Sequence, residues 1–307
     1  MKQLYTLFIM LTIFIHKDGF AQGDKNFFYI GQEDFFSHNV KAYTLKSKKL
    51  YTSFDIDIRI YNYYLSPQEL ILFSVFQTSD KKNWIPLDSN QLQFLIDKQQ
   101  LKTLYIEGIR STGLNATNVS AVKTNTIVPV VKIDGKLCKP ASLYFTEFFA
   151  VGSADLGKIF PNENLIFEID TSSPTLSFSD FREQLHKVRN RTRLPDPAYD
   201  EESMQLNSSS KPRLFRSFTS EIEGMKAFHF WTYSNWGIVD GYNYLRGIDR
   251  LVYIPGKGIV GGAFDFFFSY KAKNGGDHRF REEYERKIVD YRISEKVLLA
   301  EELLSEQ

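Results

Sequence analysis

The chain has a single cysteine, Cys138, so it cannot form an intramolecular disulfide and must rely on its core for stability. Its five histidines form no HxH, HxxxH or HExxH pair, which are the spacings typical of zinc ligands. The sequence also lacks the GxSxG elbow of serine hydrolases and the GxxxxGK[ST] phosphate loop. We therefore predict no metal site and no cofactor.

Charge of neither sign is in excess. The chain carries 38 basic and 37 acidic side chains. Nucleic acids and anionic membranes are bound by surfaces with a clear excess of lysine and arginine. The balanced charge therefore argues against a nucleic-acid partner.

Long apolar runs are absent. The longest, residues 4–15, spans twelve residues, whereas a membrane-spanning helix needs about 20. It follows a basic start and precedes the small residues Gly19 and Ala21, which is the pattern of a secretory signal peptide. We predict cleavage after Ala21 and no transmembrane segment in the mature chain. The protein is then exported to a bacterial periplasm, cell surface or exterior.

Strand signals dominate the first half of the mature chain. Residues 54–60 alternate apolar and charged side chains, as a half-buried antiparallel strand requires. The apolar run 69–77 predicts a more buried strand. Further strands are predicted at residues 103–109, 126–133, 142–151 and 165–170, and Asp134-Gly135 predicts a two-residue hairpin turn. A short helix is expected at residues 89–97, capped by Asp88 or Ser89.

Two helices are predicted later in the chain. The first begins at a capping box over residues 177–180 and precedes a polar segment, residues 190–212, that has little to bury. The second begins at Asp277 and carries an apolar stripe of Phe280, Tyr284, Ile288, Tyr291 and Leu298, with Glu301 on the opposite face. It would extend for up to about 28 residues.

These signals predict a β-rich α+β fold with antiparallel sheets, arranged as a sandwich or open barrel, a mid-chain helix and a long C-terminal amphipathic helix. The predicted divisions are a signal peptide at residues 1–21, a β-rich region at 22–174, a helix with an exposed loop or linker at 175–214, and a β-hairpin region closed by the helix at 215–307.

The stretch 228–270 is unusually rich in aromatic residues and glycines. It contains a predicted hairpin, with strands from Arg250 and from Ile259 joined by Pro255-Gly256-Lys257-Gly258, and a bulge expected at Gly261-Gly262. Its glycine cluster lies between two strands and not before a helix, so it indicates a turn and not a phosphate site.

An aromatic row in this stretch is the leading candidate for ligand binding. Trp231, Tyr233, Trp236 and Tyr242 combine flat faces with polar tips, which suits stacking on a sugar or holding an extended peptide. The leading hypothesis is an exported, non-catalytic binding module whose partner is a glycan, a peptide or an envelope protein.

Two alternatives use other residues. In the first, the protein hydrolyses a cell-envelope or polysaccharide polymer, with His229, Asp240 and Glu221 or Glu223 as acid and base. In the second, it is a structural or assembly protein that docks a partner through its C-terminal helix.

Overall fold

The computed structural model describes residues 25–78, 83–114, 123–124, 126–152, 168–180, 213–233, 247–265, 267–268 and 294–304. Within these ranges the chain forms three β-sheets and a few α-helices, of which one exceeds six residues. None of the helices in these ranges is long and apolar enough to cross a membrane.

The first sheet is mixed, with the strand order β5-β9-β8-β1-β6. Its strands are β1 (Asn26–Tyr29), β5 (Trp84–Pro86), β6 (Leu95–Ile96), β8 (Ile127–Ile133) and β9 (Lys136–Pro140). Strand β1 is parallel to both of its neighbours, β6 and β8. The five-residue helix α1 (Gln32–Phe36) follows β1, and α2 (Lys98–Leu114) follows β6.

The second sheet lies in the middle of the molecule. Its order is β11-β10-β4-β3-β2, and β7 also pairs with β10. The strands are β2 (Val40–Lys46), β3 (Ile56–Ser66), β4 (Glu69–Thr78), β7 (Lys123–Thr124), β10 (Tyr144–Val151) and β11 (Glu168–Ile169). The first eight residues of β4 are all buried, and so are the first seven of β10. Continuous burial of this kind is expected when both faces of a sheet are covered.

The third sheet is antiparallel throughout, in the order β12-β13-β14-β15-β16. Its strands are β12 (Arg213–Ile222), β13 (Met225–Tyr233), β14 (Arg250–Ile254), β15 (Gly258–Ala263) and β16 (Leu298–Leu299). The four-residue helix α3 (Glu301–Leu304) follows β16.

Adjacent residues of β3 show how the central sheet is covered on both faces. The Tyr63 ring meets the Phe28 ring of the first sheet edge-on, with centroids 4.9 Å apart. The next side chain back, Asn62, reaches the third sheet, where its amide accepts a hydrogen bond from Ile259 N (2.7 Å) and donates one to Ile259 O (2.8 Å). Successive side chains of a strand point to opposite faces, so the three sheets form three layers around one continuous apolar core.

The carboxylate of Glu147, on β10, also connects the central and third sheets. It is buried and accepts a hydrogen bond from Ile248 N at 2.9 Å. Gly247 has φ +64°, and a Cβ there would collide with this carboxylate. A glycine is therefore needed at this position both for its backbone conformation and for the close approach of Glu147.

The predicted long C-terminal helix is wrong. Leu298, assigned to its apolar stripe, lies in β16 and pairs with Gly262. Glu295 has φ +53°, which a continuous helix does not allow, and Glu301 begins the short α3. Sheet pairing overrides the helical spacing because Gly261 has no Cβ to block the approach of Leu298 and Leu299 of β16. The segment of the predicted helix at residues 277–293 lies outside the described residues.

Two further expectations about the fold are wrong. Residues 103–109, predicted as a strand, belong to α2, whose start is capped by reciprocal hydrogen bonds between Asp97 and Gln100. The sheets are also not all antiparallel, because β1 runs parallel to β6 and β8, and β10 runs parallel to β11.

Several local predictions are confirmed. The Asp134-Gly135 turn joins β8 to β9, with φ of +48° and +77° at the two residues. The hairpin around Pro255–Gly258 joins β14 to β15. Val252 pairs with Gly261 and Tyr253 with Ile259, so the bulge lies at Val260, one residue before the predicted Gly261-Gly262. The predicted helix at residues 89–97 is a 3₁₀ helix at Ser89–Phe94. Ser177 accepts a hydrogen bond from Asp180 N (3.0 Å) and residues 178–180 are helical, while the rest of the predicted mid-chain helix lies outside the described residues.

Candidate functional site

Strand β13 carries the first two candidate residues, and the structure places Trp231 in the interior. Its side chain is 1% exposed. The indole N–H donates to Leu176 O at 2.8 Å. The ring stacks on Phe215 with centroids 4.8 Å apart and meets the edge of Phe178 at 5.2 Å. A ring enclosed in this way has no face open to a ligand.

The other members of the aromatic row lie at the end of β13 or after it. Tyr233 is the last residue of β13, where it pairs with Arg213, and its side chain lies outside the described residues. Trp236 and Tyr242 are outside the described residues altogether. Their role in ligand binding stays a prediction that no longer includes Trp231.

His229 is also buried, at 7% exposed. Its Nε2 lies 2.8 Å from the Ser220 hydroxyl, and its ring stacks on Phe218 with centroids 3.9 Å apart. Burial lowers the pKa of His229 from 6.5 to about 4. A histidine that is enclosed and this weakly basic does not suit the role of a general base acting on a polymer near pH 7.

The pKa of His229 predicts a dependence of stability on pH. Unfolding returns the pKa to about 6.5, so between pH 6.5 and about 4 the unfolded chain binds more protons than the folded one. The stability of the fold with His229 neutral is fully present above pH 6.5. As the pH falls toward 4, the free energy of unfolding decreases by up to about 3 kcal/mol. Urea unfolding at pH 7 and pH 4.5 measures it.

The matched comparison uses two histidine variants. His229→Gln should reduce the loss of stability between pH 7 and pH 4.5. His38→Asn should not, because His38 is exposed, and asparagine tolerates its positive φ of 59°. An unchanged pH dependence in His229→Gln would contradict the assignment.

The candidate acids do not surround His229. Glu221 is exposed and pairs with Lys226 across the β12–β13 hairpin, and Glu223 is in its turn with φ +53°. Asp240 lies outside the described residues. The side chains that the structure describes therefore do not place an acid and a base on either side of a shared cleft, as glycoside hydrolysis requires.

Exposed apolar side chains point to a different surface. The described residues include six exposed large hydrophobic side chains, and all belong to the first sheet or to segments adjoining its strands. They are Phe35, Phe36, Ile85, Leu92, Phe94 and Ile133. Single exposed apolar residues are common, but a concentration on one region of a protein indicates an interaction surface.

Helix α1 is the most exposed of these elements. Phe36 is 80% exposed and Phe35 is 39% exposed, and the helix has no buried residue. A surface helix normally turns its apolar side chains toward the core and its polar ones toward water. In α1 both phenylalanines are exposed, and Asp34 is the one residue of the helix that is half-buried.

The polar residues hold α1 in place. Asp34 accepts hydrogen bonds from Gly31 N (2.9 Å) and from the Tyr63 hydroxyl (3.1 Å). Burial and the charges of Asp34 and Glu33 raise the pKa of Tyr63, so its hydroxyl remains a donor at neutral pH. At the end of the helix, the Ser37 hydroxyl donates to Asp34 O (3.2 Å) and Asn39 donates to Ser37 Oγ (2.8 Å). The helix is therefore fixed with its two phenylalanines turned outward.

A second exposed feature lies at the same end of the first sheet. Because β1 and β8 are parallel, with Tyr29 opposite Val130, the residues following each strand emerge together. Helix α1 follows β1. The tip of the β8–β9 hairpin, made of the end of β8, the Asp134-Gly135 turn and the start of β9, exposes Ile133 between Lys132 and Lys136. We call α1 and this hairpin tip, residues 132–136, the apolar end of the first sheet.

The two elements of the apolar end carry opposite charge. Helix α1 contributes Glu33 and Asp34. Burial raises the pKa of the nearby Tyr29, and the negative charges of these two carboxylates raise it further. The hairpin tip contributes Lys132 and Lys136 against Asp134. The apolar end therefore presents an aromatic, acidic helix beside an aliphatic hairpin tip with a net positive charge.

No cofactor or metal is indicated by this geometry. Among the described residues, no group of three or more histidine, cysteine, aspartate or glutamate side chains is placed to hold a metal ion. Comparison with protein-family models, with curated proteins and with solved structures finds no match in any of the three.

Sequence reasoning did not identify α1 as belonging to a site. The available signal is a pair of adjacent phenylalanines in the otherwise polar segment Gly31–Asn39. Sequence alone gives no reason to place such a pair outside the core. The side chain that anchors the helix, Asp34, accepts a hydrogen bond from Tyr63, which is 29 positions away.

Proposed function

We propose that this protein is an exported, non-catalytic binding protein that holds a partner against the apolar end of the first sheet. The observation that supports the proposal most strongly is helix α1, whose Asp34 is bound to the fold and whose phenylalanines face solvent. Burying an exposed phenylalanine contributes about 1.5–3 kcal/mol. Such side chains contribute to binding once a partner covers them.

The exported location rests on the leader predicted at residues 1–21. The partner classes carried forward from the sequence are an envelope protein, a peptide and a glycan. A protein or peptide fits the apolar end better than a glycan does, because Phe35, Phe36 and Ile133 offer no hydrogen-bonding group to a sugar hydroxyl.

Photo-crosslinking in the cells that produce the protein tests the proposal. A photoreactive phenylalanine analogue is placed at position 36, at position 236 or at Thr219, in separate strains. Thr219 is exposed and lies on the third sheet, which has no exposed large hydrophobic side chain among its described residues, so it serves as the control.

Each outcome bears on the proposal. Adducts at position 36 and none at Thr219 support binding at the apolar end. If adducts form at position 236 and not at position 36, the binding surface is the predicted aromatic row, and the proposed role of α1 is overturned. An absence of adducts at both 36 and 236 contradicts a binding function on either surface.

A further inference from the structure

The apolar end has the two elements that a self-complementary interface requires. A twofold dimer uses the same patch on both subunits, so that one element of each copy meets the other element of its partner. Here the acidic element is α1, with Phe35, Phe36 and the carboxylates of Glu33 and Asp34. The basic element is the hairpin tip, with Ile133 between two lysines.

We propose that the occupant of the apolar end is a second copy of this chain. In this dimer, α1 of each copy packs against the hairpin tip of its partner. The inference rests on the proposed function, because it names the partner of the same surface. It is supported by charge complementarity, since α1 carries the exposed acidic side chain of Glu33 and the tip has two lysines against one aspartate. A membrane surface fits less well, because α1 would bring the exposed Glu33 carboxylate to anionic lipid headgroups.

Both elements are held in fixed positions before association. The Asp34 carboxylate accepts hydrogen bonds from Tyr63 and from the Gly31 backbone, which orients α1. The Asp134-Gly135 turn, with both residues at positive φ, closes the hairpin that exposes Ile133. Interfaces built on fixed elements lose less conformational entropy when they form. The geometry thus favours a specific pairing over a nonspecific apolar contact.

Sedimentation equilibrium of the purified protein over a range of concentrations tests the dimer. The wild type should sediment as a dimer whose dissociation constant rises with salt. Phe36→Ser should raise that constant by about 100-fold or more, because each substitution acts twice in a twofold interface. Thr219→Ser, on the third sheet, is the control and should leave the constant unchanged.

Charge reversal tests the pairing itself. Glu33→Lys, and separately Lys132→Glu with Lys136→Glu, should each weaken the dimer. Combining the three changes should restore some of the lost affinity, because opposite charges again face each other across the interface. Failure of the combination to recover affinity would overturn the proposed pairing. Circular dichroism of each variant confirms that it is folded.

The failure of this inference can be distinguished from failure of the proposed function. A wild-type protein that is monomeric at every concentration overturns the dimer. If such a monomer still forms adducts with another protein through position 36 in cells, the binding function stands with a different occupant. A monomer with no adduct at position 36 contradicts both proposals.

Discussion

Asp265→Ala is expected to lower the free energy of unfolding by about 3–5 kcal/mol. The Asp265 carboxylate is fully buried and accepts hydrogen bonds from Arg250 Nε and an Arg250 terminal nitrogen, both at 3.1 Å, and from the Tyr51 hydroxyl at 2.7 Å. Burial alone would lower the pKa of Arg250, but Asp265, with smaller contributions from Tyr51 and Asp249, raises that pKa above its ordinary value. Removing Asp265 leaves a buried guanidinium without this compensation. Urea unfolding measures the loss.

Two further variants separate the ion pair from the packing around it. Arg250→Met combined with Asp265→Leu removes both charges and should recover much of the stability lost in Asp265→Ala. Tyr51→Phe removes the hydroxyl that accepts from Phe264 N at 2.8 Å, and should cost about 1–3 kcal/mol. Asp265 joins Arg250, on the third sheet, to Tyr51, which lies between β2 and β3. If Asp265→Ala were as stable as the wild type, this buried link would not contribute to the stability of the fold.

Trp231→Ala is expected to destabilise the fold by about 3–5 kcal/mol, the range for removal of a large buried aromatic side chain. The Trp231 ring packs between Phe215 and Phe178 and ties β13 to the segment that carries Leu176. Trp231→Phe keeps most of the packing but loses the indole hydrogen bond, so its cost should be smaller. Thermal and urea unfolding of both variants measure the difference. Unchanged stability in Trp231→Ala would return this residue to the candidate ligand surface.

The sequence predicts much of the strand structure because the relevant signals are local. Alternation over residues 54–60 identifies β3, and the turns at Asp134-Gly135 and Pro255–Gly258 each specify a hairpin from a few residues. The largely apolar sequences of β4 and β10 are the local sign of a sheet covered on both faces, although β4 includes Ser74 and β10 includes Thr146 and Glu147. These features need no knowledge of the rest of the chain.

The errors in the fold have different causes. For α2 the correct signal was present, since Asp97 and Gln100 form a capping box and Leu101 and Tyr105 are buried one turn apart. For the C-terminal segment, the signal that determines the structure does not lie in the neighbouring sequence. Leu298 and Leu299 pair with Gly261 and Gly262, and Ala300 bridges to Leu45, more than 250 positions away. Helical spacing could not reveal such a partner.

The candidate site was hardest to predict because exposure depends on tertiary contacts. Aromatic residues with polar tips indicate a ligand surface only when they are exposed, and Trp231 is covered by Leu176 and Phe178 from a distant segment. Conversely, Phe36 belongs to the residue class most often buried, yet it faces solvent on a helix that is anchored through the bond of Asp34 to the distant Tyr63.

The free energy of unfolding of Phe36→Ser tests most directly the central claim, that the phenylalanines of α1 are available to a partner and are not used by the fold. Urea unfolding is measured at a protein concentration low enough for the chain to be monomeric, so that association does not contribute. The account predicts a change within about 0.5 kcal/mol of wild type, as for a surface position. A loss of about 3 kcal/mol or more, the cost of removing a buried phenylalanine, would contradict it and place the ring in the core.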